Sequence, residues 1–194
     1  MKRTVKILAT MATMATMAVL STGTAFAAIP NGTSGDDLLS GTVKTDQING
    51  RGGDDTIKGR AGGDSWLNGG FGDDTILGGD GSDRIRGSAP INGHDNGDTG
   101  SDTLYGGGGG DYILGGLGAD DISGGSGDDD LFDDAGEFGT DRSVDTISGG
   151  PGNDTIVAAN GTSAQDIIEC GDGQDQVHAD QGDDVAADCE SVSY

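Results

Sequence analysis

The chain has little of what an ordinary core is made from. Aromatic residues are 4% of its 194 positions, and hydrophobic residues are 32%. Part of that 32% sits in the first 27 residues, outside the repetitive body. So little hydrophobicity, combined with high net charge, argues against a conventional packed domain. Basic side chains are scarce too: 10 against 34 acidic ones, for a net charge of −24. Such acidity argues against nucleic acid and anionic membranes as partners and favours cations. After the N-terminus no stretch approaches the roughly 20 apolar residues of a membrane span, so membrane insertion is not expected. There is no G-x-S-x-G, no H-E-x-x-H and no phosphate-binding lysine loop, so no motif assigns an enzyme.

What is present begins with a targeting pattern. Lys2, Arg3 and Lys6 form a basic start, Ile7 to Leu20 is apolar to neutral, and Ala25-Phe26-Ala27 fits a small-x-small cleavage site. Residues 1–27 read as a secretory signal peptide, which makes the mature chain, residues 28–194, extracellular.

The mature chain is dominated by glycine, 40 residues in all, set in a nine-residue period. Gly69 to Leu77 is followed without a gap by Gly78 to Arg86, and Gly106 to Phe132 holds three consecutive copies. Gly149 to Val157 is another copy, and degenerate copies carry the pattern over most of residues 32–187. The consensus is G-G-x-G-x-D-x-U-x, with U aliphatic. Three interruptions, Ser88 to Asn96, Asp133 to Arg142 and Ala158 to Thr162, read as surface loops.

The spacing has a physical reading. The x-U-x end is a strand so short that only its middle side chain points inward. The glycine-rich half is a tight turn, because glycine accepts positive φ and close backbone approach. Two nonapeptides make one coil, and coils stack as parallel strands about 4.8 Å apart. The expected fold is all-β: a parallel β-roll of stacked two-nonapeptide coils with short inserted loops. Leu39, Ile48, Ile57, Ile76, Ile85, Leu104, Ile113, Ile122, Leu131, Ile147, Ile156, Ile168 and Val177 are the expected core, with Trp66 or Leu67 filling one further place beside an extra residue.

Stacking also converges the sixth-position aspartates. Asp37, Asp55, Asp64, Asp74, Asp83, Asp102, Asp111, Asp120, Asp129, Asp154 and Asp175 are the expected metal ligands. Asp46 is a doubtful one, since Lys44 replaces the turn glycine, and Asp145, Asp166 and Asp184 are weaker members. Stacked carboxylates repel one another unless an ion lies between them. Ca²⁺ takes six to eight hard oxygens, and carboxylates with turn carbonyls freed from ladder bonding supply that kind of set. Several calcium ions are therefore the expected cofactor. One aliphatic side chain per nine residues buries too little to offset the ordering of the backbone, so folding is expected to require the metal.

These tandem copies resemble the RTX, or hemolysin-type calcium-binding, repeat family. The resemblance implies a parallel β-roll, calcium ligation by the sixth-position Asp and turn carbonyls, and an extracellular location. The segment Cys170-Gly171-Asp172-Gly173-Gln174-Asp175 through Asp188-Cys189-Glu190 is similar to the end of stand-alone secreted RTX proteins of Gram-positive bacteria. With no toxin or catalytic domain upstream, toxin activity has no support.

Cys170 and Cys189 are the only cysteines; in an exported chain a disulfide is the expected state, free thiols or a metal site the alternatives. Their separation is close to one coil. Residues from about 179 carry no full copy and are expected to cap the roll. Functionally the chain reads as a non-enzymatic calcium-binding module, structural or adhesive. The alternative is a secreted hydrolase or lyase with a small site in the inserted loops, but no insertion exceeds about ten residues, far short of a domain. An ice-binding solenoid needs a regular array, and third-position residues as unlike as Ser34, Phe71, Leu117 and Pro151 do not make one.

Overall fold

Each nonapeptide forms one strand and one turn, and successive strands alternate between two sheets. In the computed structural model, which describes residues 31–88, 99–133, 142–159 and 164–194 together with the backbone of 90–91 and 94–95, these sheets are eight-stranded and wholly parallel. The signal peptide expected over residues 1–27 lies outside the described residues. The first sheet runs β1 (Leu38–Ser40), β3 (Thr56–Ala61), β5 (Thr75–Asp80), β9 (Thr103–Gly108), β11 (Asp121–Ser126), β13 (Thr146–Pro151), β15 (Ile167–Asp172) and β17 (Asp184–Val185). The second runs β2 (Gln47–Gly52), β4 (Trp66–Phe71), β6 (Arg84–Ser88), β10 (Tyr112–Leu114), β12 (Asp130–Phe132), β14 (Thr155–Val157), β16 (Gln176–His178) and β18 (Ser191–Ser193). A separate antiparallel pair, β7 (Pro90–Ile91) with β8 (His94–Asp95), lies in the first inserted segment.

Register follows the aliphatic position. In the first sheet Ile57, Ile76, Leu104, Ile122, Ile147 and Ile168 stand in one column. In the second, Ile48, Leu67, Ile85, Ile113, Leu131, Ile156 and Val177 do the same. The two columns face each other and form a single buried core. Leu67 takes the inward place and Trp66 turns out, 36% exposed, where the Arg86 guanidinium stacks on it 5.2 Å from the ring centre. The extra residue before Leu67 is absorbed locally: Ser65 donates its amide to the Asp46 carbonyl, the bond that Thr56 makes to Asp37 one strand earlier. Trp66 is therefore not a core residue.

The two long edges of the roll differ. Along the edge leading from the first sheet to the second, inward residues are nine apart, as from Ile76 to Ile85 and from Ile147 to Ile156, except for one surplus residue between Ile57 and Leu67 and a shorter closing step from Val185 to Val192. All three interruptions fall on the other edge, after β6, β12 and β14, where the chain returns from the second sheet to the first.

Periodicity persists past the last recognisable copy. β17 and β18 add a closing coil, placing Val185 under Ile168 and Val192 under Val177. Cys170, fully buried in the place of a first-position glycine, is disulfide-bonded to Cys189, with Cα atoms 5.2 Å apart. The bond ties this coil to the one before it. Closing a loop of this size is worth about 3 kcal/mol in the chain-entropy model. Reduction, or Cys189→Ser, is expected to lower the thermal unfolding midpoint by several degrees and to expose the β18 edge to self-association. Melting curves with and without reductant, alongside sizing, check this; coincident curves would show that the bond secures nothing.

Candidate metal centre

The sixth-position aspartates end their turns just before each strand, so parallel stacking sets them one above another along the two edges. On one edge the order is Asp37, Asp55, Asp74, Asp102, Asp120, Asp145, Asp166; on the other it is Asp46, Asp64, Asp83, Asp111, Asp129, Asp154, Asp175. All are buried, from 0% exposed at Asp145 to 9% at Asp37. The stacking is directional. The backbone N–H of each aspartate donates to Oδ1 of the aspartate one coil further along, at 2.7–3.0 Å from Asp37 to Asp166. The second ladder does the same at 2.7–2.9 Å from Asp46 to Asp175.

A ladder of this polarity needs an acceptor beyond its last rung. Asp183 supplies it on the first edge, taking the Asp166 amide at 3.2 Å, and Glu190 on the second, taking the Asp175 amide at 3.0 Å. Asp188 accepts the amide of Gly171 beside them at 3.1 Å. The rung is thus Asp183, not Asp184, which lies in β17 with its amide on the Asp166 carbonyl. Asp46 is as deeply placed as its neighbours despite Lys44.

Only one oxygen of each carboxylate is used by the ladder. Oδ2 of Asp55, Asp64, Asp83, Asp111, Asp129, Asp154 and Asp175 is buried with no hydrogen-bond partner. Buried carboxylates are ordinarily paired or bound to metal. Burial pushes the Asp55, Asp64 and Asp129 carboxyls up to about 6 and Asp111 up to about 7. The amide each accepts pulls back, and the adjacent rungs, such as Asp129 beside Asp111, push up again. No basic side chain contributes to any of these four shifts. These four carboxylates therefore have no basic side chain acting on them, and a hard divalent cation matches both the charge and the oxygen donors.

First-position glycines leave room for that oxygen. A Cβ on Gly50, Gly69 or Gly106 would lie against Oδ2 of its own repeat's aspartate and against the carbonyl of the next coil's first glycine. Where this position is Asp133, its side chain joins the ladder instead: one carboxylate oxygen each from Asp133, Asp145 and Asp166, all buried, fall within 4.8 Å of one another. Asp133 was not among the expected ligands, although an aspartate in the first-glycine slot was the available signal. A second, exposed column was also missed. Asp36 and Asp54 accept the amides of Asp54 and Asp73, running opposite to the buried ladder.

The expected supply of unbonded turn carbonyls is only partly present. Third-position carbonyls of Asp80, Gly108 and Ser126 accept amides of the preceding coil, and sixth-position carbonyls accept the next strand's first amide. Each keeps one lone pair, so the carboxylates carry most of the donor capacity.

No curated protein and no solved structure matches the chain. The family model of the RTX calcium-binding nonapeptide repeat matches residues 31–65, 61–89, 96–131, 140–162 and 159–186, well over half of the sequence. Since those residues build nearly every coil and both aspartate ladders, the chain belongs to the RTX calcium-binding nonapeptide repeat family.

Proposed function

We propose that this is an extracellular calcium-binding module, structural or adhesive in use, whose roll is completed by ions held along both edges. The carrying observation is the row of buried, donorless Oδ2 atoms between stacked coils. The ligand set is the sixth-position series Asp55, Asp64, Asp74, Asp83, Asp102, Asp111, Asp120, Asp129, Asp154 and Asp175, with Asp133, Asp145 and Asp166 joining where Asp replaces the first glycine. Extracellular sites of this type work at roughly 10⁻⁴ to 10⁻³ M calcium. The disulfide supports an oxidising compartment. No helix among the described residues is long and apolar enough to cross a membrane.

The adhesive part rests on the outer face of the second sheet. Arg84 and the Trp66–Arg86 stack lie there beside Tyr112 and Phe132, whose ring centres are 5.0 Å apart. Aromatic and guanidinium groups together are typical of surfaces that hold partners.

Calorimetric calcium titration tests the main reading. Asp111→Ala is expected to raise the calcium midpoint of folding at least severalfold, and Asp46→Ala to move it much less. Equal shifts would sink the ranking, and absence of binding at millimolar calcium would sink the function.

A further inference from the structure

The first rung of each ladder differs from those that follow. In the first coil the second repeat position is Thr33 on one edge and Thr42 on the other. Thr33 donates its backbone N–H at 2.6 Å and its hydroxyl at 2.9 Å to Asp37 Oδ2. Thr42 does the same to Asp46 Oδ2, at 2.6 and 3.0 Å. Each hydroxyl oxygen in turn accepts a turn amide, from Gly35 at 3.3 Å and from Lys44 at 3.2 Å, which fixes it in place. The oxygen served here by two donors is the one left without any at Asp55, Asp64, Asp83, Asp111, Asp129 and Asp154; the oxygen without a partner at Asp46 is Oδ1 instead, the one that in later rungs takes the amide of the preceding coil, and no described coil precedes this one.

The backbone differs as well. Second-position glycines further along hold positive φ, such as +127° at Gly70 and +113° at Gly107. Arg51 and Arg60 keep it even without glycine's freedom, at +85° and +90°, and they are the only described non-glycine residues that do. Thr33 and Thr42 take the ordinary sign, and that conformation carries the threonine amide onto its own repeat's carboxylate.

Two N–H or O–H dipoles aimed at a carboxylate oxygen stabilise its charge, and their positive ends repel a cation approaching the same lone pairs. We infer that Thr33 and Thr42 stand in for the metal at the first coil, so that Asp37 and Asp46 hold no ion and the array begins at Asp55 and Asp64. This rests on the calcium reading above, and it removes Asp37 from the sequence-based ligand set. It also makes the first coil a metal-independent seed, folded by its own side chains before the rest of the stack is neutralised.

Counting bound calcium on the full-length secreted chain, by native mass spectrometry in a calcium series, tests it. The double variant Asp37→Asn/Asp46→Asn keeps acceptors for the threonines and is expected to bind as many ions as the wild type, whereas Asp111→Asn loses at least one. Thr33→Gly/Thr42→Gly is expected to gain ions and to need more calcium to fold. Loss of ions in the Asp37/Asp46 variant, comparable to that in Asp111→Asn, overturns the inference while leaving the calcium reading intact. A wild-type chain that binds no calcium ends both. If the glycine variant fails to fold, the asparagine comparison decides alone.

Discussion

Chelation of calcium at neutral pH is expected to abolish the β-sheet circular dichroism of the chain, and millimolar calcium to restore it. Without the ion, rungs such as Asp55, Asp64, Asp111 and Asp129 keep a buried carboxylate oxygen with no partner between two neighbouring carboxylates. The core, one aliphatic residue per strand, is too thin to hold the stack against that repulsion. Magnesium is not expected to substitute, since it demands a smaller octahedral shell and keeps its water. Protons act in two opposed ways. Burial raises the folded carboxyls to about 6–7 at Asp55, Asp64, Asp111 and Asp129, above the value near 3.9 of an unfolded Asp. The metal-free roll thus gains stability as pH falls from about 7 towards 4 and loses it as pH rises through that window. Calcium affinity falls over the same range, because protons compete for the same oxygens. In chelator, β signal at pH 5 should therefore exceed that at pH 8, and in calcium the order should reverse or flatten. Identical spectra with and without chelator at pH 7.5 would contradict the account.

Gly106→Ala is expected to be nearly as disruptive as removing the metal, while Gly108→Ala two residues away should be almost silent. A Cβ on Gly106 would collide with Asp111 Oδ2 and with the Gly124 carbonyl. Neither can retreat: the carboxylate's other oxygen holds the Asp83 amide, and the carbonyl belongs to the next coil. Overpacking of a rigid site costs typically 1–3 kcal/mol or more, and here it also displaces the oxygen offered to calcium. At Gly108 the nearest atoms to an added Cβ are Ser126 Oγ at 3.5 Å and Asp80 Oδ1 at 3.9 Å, ordinary contacts. The calcium midpoint of folding, read by circular dichroism for both variants, separates them. Equal midpoints would show that the first glycine is not required by the site.

The period made the strands, the inward column and the rungs legible, because each depends only on residue type at a fixed place in nine. Ile76, Ile85 and Ile113 point inward for the same reason that Asp74, Asp83 and Asp111 stack. What escaped depends on relations between coils. That each carboxylate takes the amide of the coil before it follows from register, which no single repeat contains. Asp183 and Glu190 gain their roles only because a directional ladder must end on an acceptor. Trp66 and Leu67 compete for one inward place, and only the position of the bulge decides between them. The doubt over Asp46 fell on Lys44, whereas the residue that distinguishes this rung is Thr42.

The unequal long edges give the molecule a spine and a fore-edge. On the spine, even one surplus residue must be swallowed as a bulge, as it is beside Trp66. At the fore-edge the strand register is kept across both longer insertions, from Ser88 to Thr103 and from Asp133 to Thr146. Lengthening such a loop costs only logarithmically with size. New sequence can thus accumulate along one side without altering the spacing of the other, and the points of insertion, after β6, β12 and β14, lie a coil or two apart. A scaffold of this kind can lengthen along its fore-edge while both ladders, the one beside the insertions included, keep their rung-to-rung spacing.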